Sequence, residues 1–138
     1  LKGLLMKKKL KPPKGYDSWF EYDLHSLQLK GCQCHTAKVA YVQERSYEPD
    51  FIRQEGSKTI YIEAKGRFRD RSEARKYVDV KAALSEGSEL VFVFWNPKTP
   101  MPGSQRRADG SRLTHGEWAE LQGLRYYTAE TLPKAWSK

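Results

Sequence analysis

Two carboxylates and a lysine stand out by type and spacing: Asp50, preceded by Pro49, and thirteen residues later the run Glu63-Ala64-Lys65. Side chains alternate along a strand, so Glu63 and Lys65 project from one face while Ala64 points away. A hairpin turning near Gly56 sets Asp50 opposite the end that holds Glu63. Paired carboxylate oxygens suit a hard cation such as Mg2+, which keeps several waters and takes substrate phosphates. Phosphodiester hydrolysis needs a nucleophilic water, charge neutralisation at the phosphate and help for the leaving oxygen. Carboxylate-bound Mg2+ lowers the pKa of water and acts as a Lewis acid. A lysine two residues from the carboxylate orients that water or stabilises the charged transition state. An ordinary hairpin with charged edges and a Glu63–Lys65 surface pair would carry the same letters.

Other chemistries find less support. His25, His35 and His115 lack a nucleophile partner, so Ser–His or Cys–His catalysis is not expected. No Gly-rich phosphate loop is present, so no nucleotide cofactor is expected. Cys32 and Cys34 are separated by one residue, too close for a relaxed bridge, which points to a reduced, intracellular protein. With His35 they hint at zinc, but a closed site takes four ligands and no second pair appears. Two small residues near a helix end is therefore the expected reading.

The 138 residues carry 25 Lys+Arg against 17 Asp+Glu, a formal charge of +8. That length fits one domain with a core of its own. No apolar run is long enough to cross a membrane as a helix, so no membrane partner is expected. The positive charge is clustered. Lys2, Lys7, Lys8, Lys9, Lys11 and Lys14 precede Gly15 with no acid among them. A second patch holds Lys65, Arg67, Arg69, Arg71, Arg75 and Lys76; a third holds Lys98, Arg106, Arg107 and Arg112. Three such patches point to a polyanionic partner, most simply nucleic acid.

Residues 1–15 read as a basic arm that Pro12-Pro13 and Gly15 keep irregular, and 16–138 as a single domain. Ser18-x-x-Glu21 fits a capping box before a helix whose apolar stripe includes Phe20, Leu24, Leu27 and Leu29 or Cys32, with Gly31 as its stop. Alternation at Val39, Tyr41 and Gln43 predicts a strand. Residues 50–54 and 59–65 predict a hairpin, 71–86 a helix capped by Gly87, and 90–95 a strand buried on both faces. Residues 96–112 form a long basic Pro/Gly loop. A short helix over 116–121 and a strand over 124–127 close the domain. Trp19, Trp95 and Trp118 are expected in the core, and Trp136 packs the terminus. The fold class is α/β, with helices against a central sheet.

In order along the chain, Ser18-Trp19-Phe20-Glu21, Tyr47-Glu48-Pro49-Asp50-Phe51 and Tyr61-Ile62-Glu63-Ala64-Lys65-Gly66 are followed by Arg75-Lys76 and Leu90-Val91-Phe92-Val93-Phe94. His115-Gly116-Glu117-Trp118 and Leu132-Pro133-Lys134-Ala135-Trp136 complete the series. This run resembles the bacteriophage endonuclease I family of Holliday-junction resolvases, in the PD-(D/E)xK nuclease superfamily. The resemblance covers roughly residues 17–138. It implies a central mixed β-sheet flanked by helices, in a homodimer that exchanges its first helix. It implies catalytic Glu21, Asp50, Glu63 and Lys65. Asp50 and Glu63 would hold one Mg2+ with the Ala64 carbonyl, Glu21 and Asp50 would border a second, and Mn2+ would serve as substitute. From the residues alone, Glu21 reads as an acid favoured in a first helical turn.

The resemblance further implies branched double-stranded DNA as partner and the cytoplasm of a phage-infected or prophage-bearing host as compartment. Lys7, Lys8, Lys9, Lys11, Lys14, Arg67, Arg69, Arg71, Arg75, Lys76, Arg106 and Arg107 are the expected DNA contacts. Two departures stand out. The link from the first helix to Asp50 is shorter than the family's. The family's basic C-terminal tail has no counterpart after Trp136, and the basic arm before Gly15 is expected to replace it. A sequence-specific nuclease and a non-catalytic DNA-binding module are the alternative readings.

Overall fold

The computed structural model describes residues 10–138. The chain forms two compact units, Leu1–Glu44 and Arg45–Lys138. Lys7, Lys8 and Lys9 lie outside the described residues.

The second unit is α/β. Its four-stranded mixed sheet runs β1 (Phe51–Glu55), β2 (Lys58–Lys65), β3 (Ser88–Phe94), β4 (Arg125–Tyr127) in spatial order. The β1–β2 hairpin is antiparallel, with Phe51 opposite Ile62 and Glu55 opposite Lys58. Gly56 turns it with φ +60°, a conformation that costs glycine nothing. β2–β3 and β3–β4 are parallel. Parallel neighbours need a crossover, and α2 (Arg71–Ala83) supplies it between β2 and β3. The loop after β3 and α3 (His115–Leu121) supply the next.

Strand alternation sorts the core onto two faces. Leu90, Phe92 and Phe94 of β3 pack with Phe68, Ala74 and Tyr77 from α2 and its approach, and with Trp118 and Ala119 of α3. Ile60, Ile62 and Val91 fill the opposite face, where Val93, Tyr127 and Trp136 cover them. Trp136 rides on a short 3-10 turn, Lys134–Ser137. The loop 96–112 is pinned rather than loose: Met101 is buried, its N–H donates to the Leu113 carbonyl, and Pro100 bridges Thr114. Thr114 and Glu117 complete a reciprocal capping box on α3.

Several expectations change. Trp95 is 87% exposed, not core. Phe94 takes the inward position, so the next residue faces out just as the strand ends. α2 stops at Ala83, because Leu84 turns extended (φ −65°, ψ 139°) and packs toward the core. Gly87 instead turns the chain into β3.

The first unit holds one described helix, α1 (Trp19–Leu27), capped by Ser18, whose hydroxyl accepts the Glu21 N–H. The reciprocal bond of a capping box is displaced by one residue: Glu21 Oε2 accepts from the Asp17 N–H at 3.2 Å. The helix ends at Leu27, well before Gly31. Its expected apolar stripe is not buried; Phe20 is 72% exposed and Leu27 69%. The strand expected over Val39–Gln43 does not form either. A strand needs a ladder partner, and the described residues of this unit include no other strand. Val39, Tyr41 and Val42 are left exposed. Among the described residues, no helix is long and apolar enough to cross a membrane.

Candidate active site

β2 and the N-terminal half of α2 together build the chemistry. Glu63 and Lys65 share the β2 face that α2 covers. The helix begins where Asp70 caps it, its Oδ1 accepting the Glu73 N–H at 2.9 Å. Glu73 and Tyr77 are four residues apart and therefore lie on one helix face. They meet the two strand residues in matched order: Lys65 Nζ donates to Glu73 Oε1 at 2.5 Å, and Tyr77 Oη donates to Glu63 Oε1 at 2.9 Å.

Glu63 is 7% exposed, and a carboxylate so buried must be hydrogen-bonded. A second tyrosine meets that need, as Tyr47 Oη donates to Glu63 Oε2 at 2.5 Å. The two tyrosine rings contact each other edge-on, with centroids 5.9 Å apart. Burial first, and then the neighbouring Glu63 carboxylate, push the Tyr77 hydroxyl up to about 12 and raise Tyr47 as well. Both remain protonated donors at neutral pH.

Lys65 Nζ lies 3.8 Å from Glu63 Oε1 and above the rings of Phe68 and Tyr77. Burial alone would depress this ammonium, but its bonds to Glu73 and Tyr77 outweigh burial and raise its pKa. The Glu73 carboxyl is lowered for the matching reason. Burial works against ionisation, and the bonds from Lys65 and the Arg69 N–H overcome it.

Asp50 immediately precedes β1, and the hairpin register carries it opposite Glu63. Its Oδ2 accepts the Ala64 N–H at 2.9 Å, which ties the Asp50 side chain to the strand between Glu63 and Lys65. The carboxylate is exposed and keeps Oδ1 for a further partner. Asp50, Glu63, Ala64 and Lys65 thus come together at one end of the hairpin. The donor set of Asp50 and Glu63 is all oxygen, which fits a hard divalent cation.

Glu21 belongs to the first unit, on the first turn of α1. Its Oε1 contacts His35 Nε2 and lies 3.8 Å from the Cys34 thiol. Lys11 and Lys14 are exposed in the same unit.

The expected DNA contacts of the second unit, Arg67, Arg69, Arg71, Arg75, Lys76, Arg106 and Arg107, are all exposed. Several have protein partners. Arg69 pairs with Asp70 at 3.2 Å and Arg107 with Glu117 at 2.8 Å. Arg71 and Arg106 donate to the Gly103 and Gly110 carbonyls. Lys76 Nζ lies over the Tyr47 and Tyr77 rings, 5.4 and 5.3 Å from their centroids. A cavity of about 560 Å³ opens between α2 and the loop, bordered by Arg71, Arg75, Gly103 and Gln105.

Sequence reasoning missed Tyr47, Tyr77 and Glu73 as parts of the site. The signal for the helix pair was the four-residue spacing of Glu73 and Tyr77 soon after β2. It read instead as ordinary helix amphipathicity. His115 also differs from a surface histidine. It is buried among Phe68 and Phe94, neither ring nitrogen has a hydrogen-bond partner, and burial lowers its pKa, with Arg67 and Lys65 adding to the effect.

No protein-family model matches this chain, and no curated protein is similar to it by sequence search.

Proposed function

We propose that the chain is a metal-dependent, structure-selective DNA endonuclease that resolves four-way junctions by paired phosphodiester hydrolysis. The observation that carries the reading is the hairpin end where Asp50, Glu63 and Lys65 converge, with Asp50 tied to the Ala64 N–H. The resemblance to bacteriophage endonuclease I proteins supplies the substrate class, the PD-(D/E)xK nuclease-like fold, and the homodimer with an exchanged first helix. A two-fold dimer suits a symmetric junction, because two opposed nicks resolve it. The compartment in this reading is the cytoplasm of an infected or prophage-bearing cell.

Asp50 and Glu63, with the Ala64 carbonyl, would hold Mg2+. Bound there, the ion would supply Lewis-acid activation of water and of the phosphate. The protein's own part is positioning. Tyr47 and Tyr77 fix both oxygens of Glu63, so that carboxylate has one orientation. Glu73 fixes the Lys65 ammonium, which stays charged beside Glu63 and serves the negative charge that grows on the phosphate. Arg67, Arg69, Arg75 and Lys76, exposed next to this end of the strand, would meet flanking phosphates, which positions DNA without reading sequence. Glu21 as a further metal ligand rests on the resemblance alone.

The test separates binding from cutting. In Ca2+, wild type and Lys65→Ala are expected to bind a synthetic four-way junction with similar affinity. In Mg2+, wild type nicks opposed strands and Lys65→Ala loses at least about 100-fold in rate, the scale of removing one charge-stabilising donor. Binding without cleavage by wild type in any divalent metal would replace the enzyme with a DNA-binding module.

A further inference from the structure

We infer that the first unit carries a transition-metal site of the Zn2+ class, formed by Glu21, Cys34 and His35. Glu21 Oε, Cys34 Sγ and a His35 ring nitrogen all lie within 4.8 Å of one another. Among the described residues no other group of three such side chains does so. The inference needs none of Asp50, Glu63 and Lys65, and it assigns Glu21 to this site instead of to the Mg2+ site that the resemblance implies.

Distances, donor chemistry and local support agree. Bonds of 2.0–2.3 Å at tetrahedral angles place neighbouring ligand atoms about 3.3–3.8 Å apart. Cys34 Sγ to Glu21 Oε1 is 3.8 Å, and His35 Nε2 to Asp17 Oδ2 is 3.6 Å. The direct His35–Glu21 contact is closer and opens when an ion enters between them. One thiolate, one imidazole and one carboxylate suit Zn2+ and exclude Mg2+ or Ca2+, which take oxygen ligands. Asp17, beside His35, stands ready as the fourth ligand or as the acceptor of a bound water.

The loop is built to present these groups. His25 on α1 holds it, with Nε2 on the Cys32 carbonyl at 2.9 Å and Nδ1 on Tyr16 Oη at 2.6 Å. His35 is the one non-glycine described residue with positive φ, +54°. That left-handed backbone places consecutive Cys34 and His35 side chains on the same carboxylate.

A second observation explains why a metal belongs here. No described residue of this unit, 10–44, is buried. Chains near 40 residues rarely supply a sufficient core, and a metal or a disulfide then commonly serves as the staple. Cys32 and Cys34 are both free thiols, so no disulfide does so here. Zn2+ binding displaces to solvent the Cys34 thiol proton and the Nε2 proton that His35 now gives to Glu21, and links α1 to the loop that follows it.

The test uses the full, untagged, reduced chain and Co2+ as a spectroscopic stand-in. One equivalent of Co2+ is expected to give a thiolate-to-metal absorption in the near ultraviolet, with the strong visible bands of a four-coordinate site, and one equivalent of Zn2+ bleaches both. Cys34→Ser abolishes the thiolate band and weakens Zn2+ at least about 100-fold, since even outer partners of metal ligands are worth 10–100-fold. Cys32→Ser leaves the band intact. Zn2+ raises the thermal midpoint of wild type and of Cys32→Ser but not of His35→Ala, a readout that holds if Cys34→Ser folds poorly. The inference is overturned if wild type gives no thiolate–Co2+ band, if the band survives Cys34→Ser, or if it disappears with Cys32→Ser.

Discussion

Tyr77→Phe removes one hydroxyl at the buried Glu63 carboxylate. The ring stays, so its edge contacts with Tyr47, Phe68 and Phe92 stay too, as does its place under the Lys65 ammonium. What disappears is the 2.9 Å bond to Glu63 Oε1, in a group 7% exposed, together with the hydroxyl's bond to the Lys65 ammonium. Hydrogen bonds to charged groups contribute about 1.5–3 kcal/mol, and loss of one donor leaves a buried acceptor short. Tyr47 still serves Oε2, so about 2 kcal/mol is expected for the metal-free protein. For a unit of this size that is a fall of roughly 8 °C in thermal midpoint. Denaturant unfolding in chelator at neutral pH measures it, with m unchanged between the two proteins. The double variant with Tyr47→Phe is expected to lose more than the sum of the singles, because Glu63 then has no tyrosine donor. A Tyr77→Phe protein within 0.5 kcal/mol of wild type, about the scale of an ordinary surface change, would refute the claim that these tyrosines carry the buried carboxylate.

Three further outcomes are expected. Glu73 has a folded pKa below its ordinary 4.5, so its contribution to stability is present above that value and is lost as pH falls through it to the folded pKa. Glu73→Gln should therefore be destabilised at pH 7, and the gap to wild type should close below about pH 4.5 in pH-dependent unfolding. Trp95, exposed just past the end of β3 with its backbone N–H on the Lys65 carbonyl, offers an uncovered aromatic face. Trp95→Ala should weaken junction binding about 10-fold, from the loss of one stacking contact, with a matching loss of fluorescence quenching in a DNA titration. Deleting residues 1–14 removes six lysines and should flatten the salt dependence of junction binding by several units of log–log slope; an unchanged slope excludes that arm from the phosphates.

The hairpin and the crossover helix were legible because their signals are local. Gly56 between two β-rich runs marks a turn, and the continuous run from Leu90 to Phe94 can only be a strand covered on both faces. Asp50 and Glu63 followed from the hairpin register, which a turn position fixes. The partners of Glu63 and Lys65 were not legible in that way. Tyr47, Glu73 and Tyr77 reach them across packed elements, and a tyrosine on an apolar helix face looks like core until the buried carboxylate beneath it is seen. Trp95 misled for the converse reason, since its apolar run ended one residue earlier than hydrophobicity implied. The first unit was read least well. Its apolar letters at Phe20, Leu27, Val39 and Val42 predicted burial and a strand, but burial needs a second surface and a strand needs a neighbour. Zinc was set aside for want of a second cysteine pair; in the inferred site the further ligands are Glu21 on α1 and Asp17 just before it, both well back in the sequence.

The central claim is that the hairpin end bearing Asp50, Glu63 and Lys65 cuts branched DNA. Cleavage of a four-way junction and of a linear duplex of matched sequence, in Mg2+, by wild type and Asp50→Ala side by side, tests it most directly. The account predicts paired nicks on opposed strands of the junction, little cutting of the duplex, and loss of both nicks with Asp50→Ala. Undiminished cutting by Asp50→Ala, or equal cutting of the linear duplex, would contradict it.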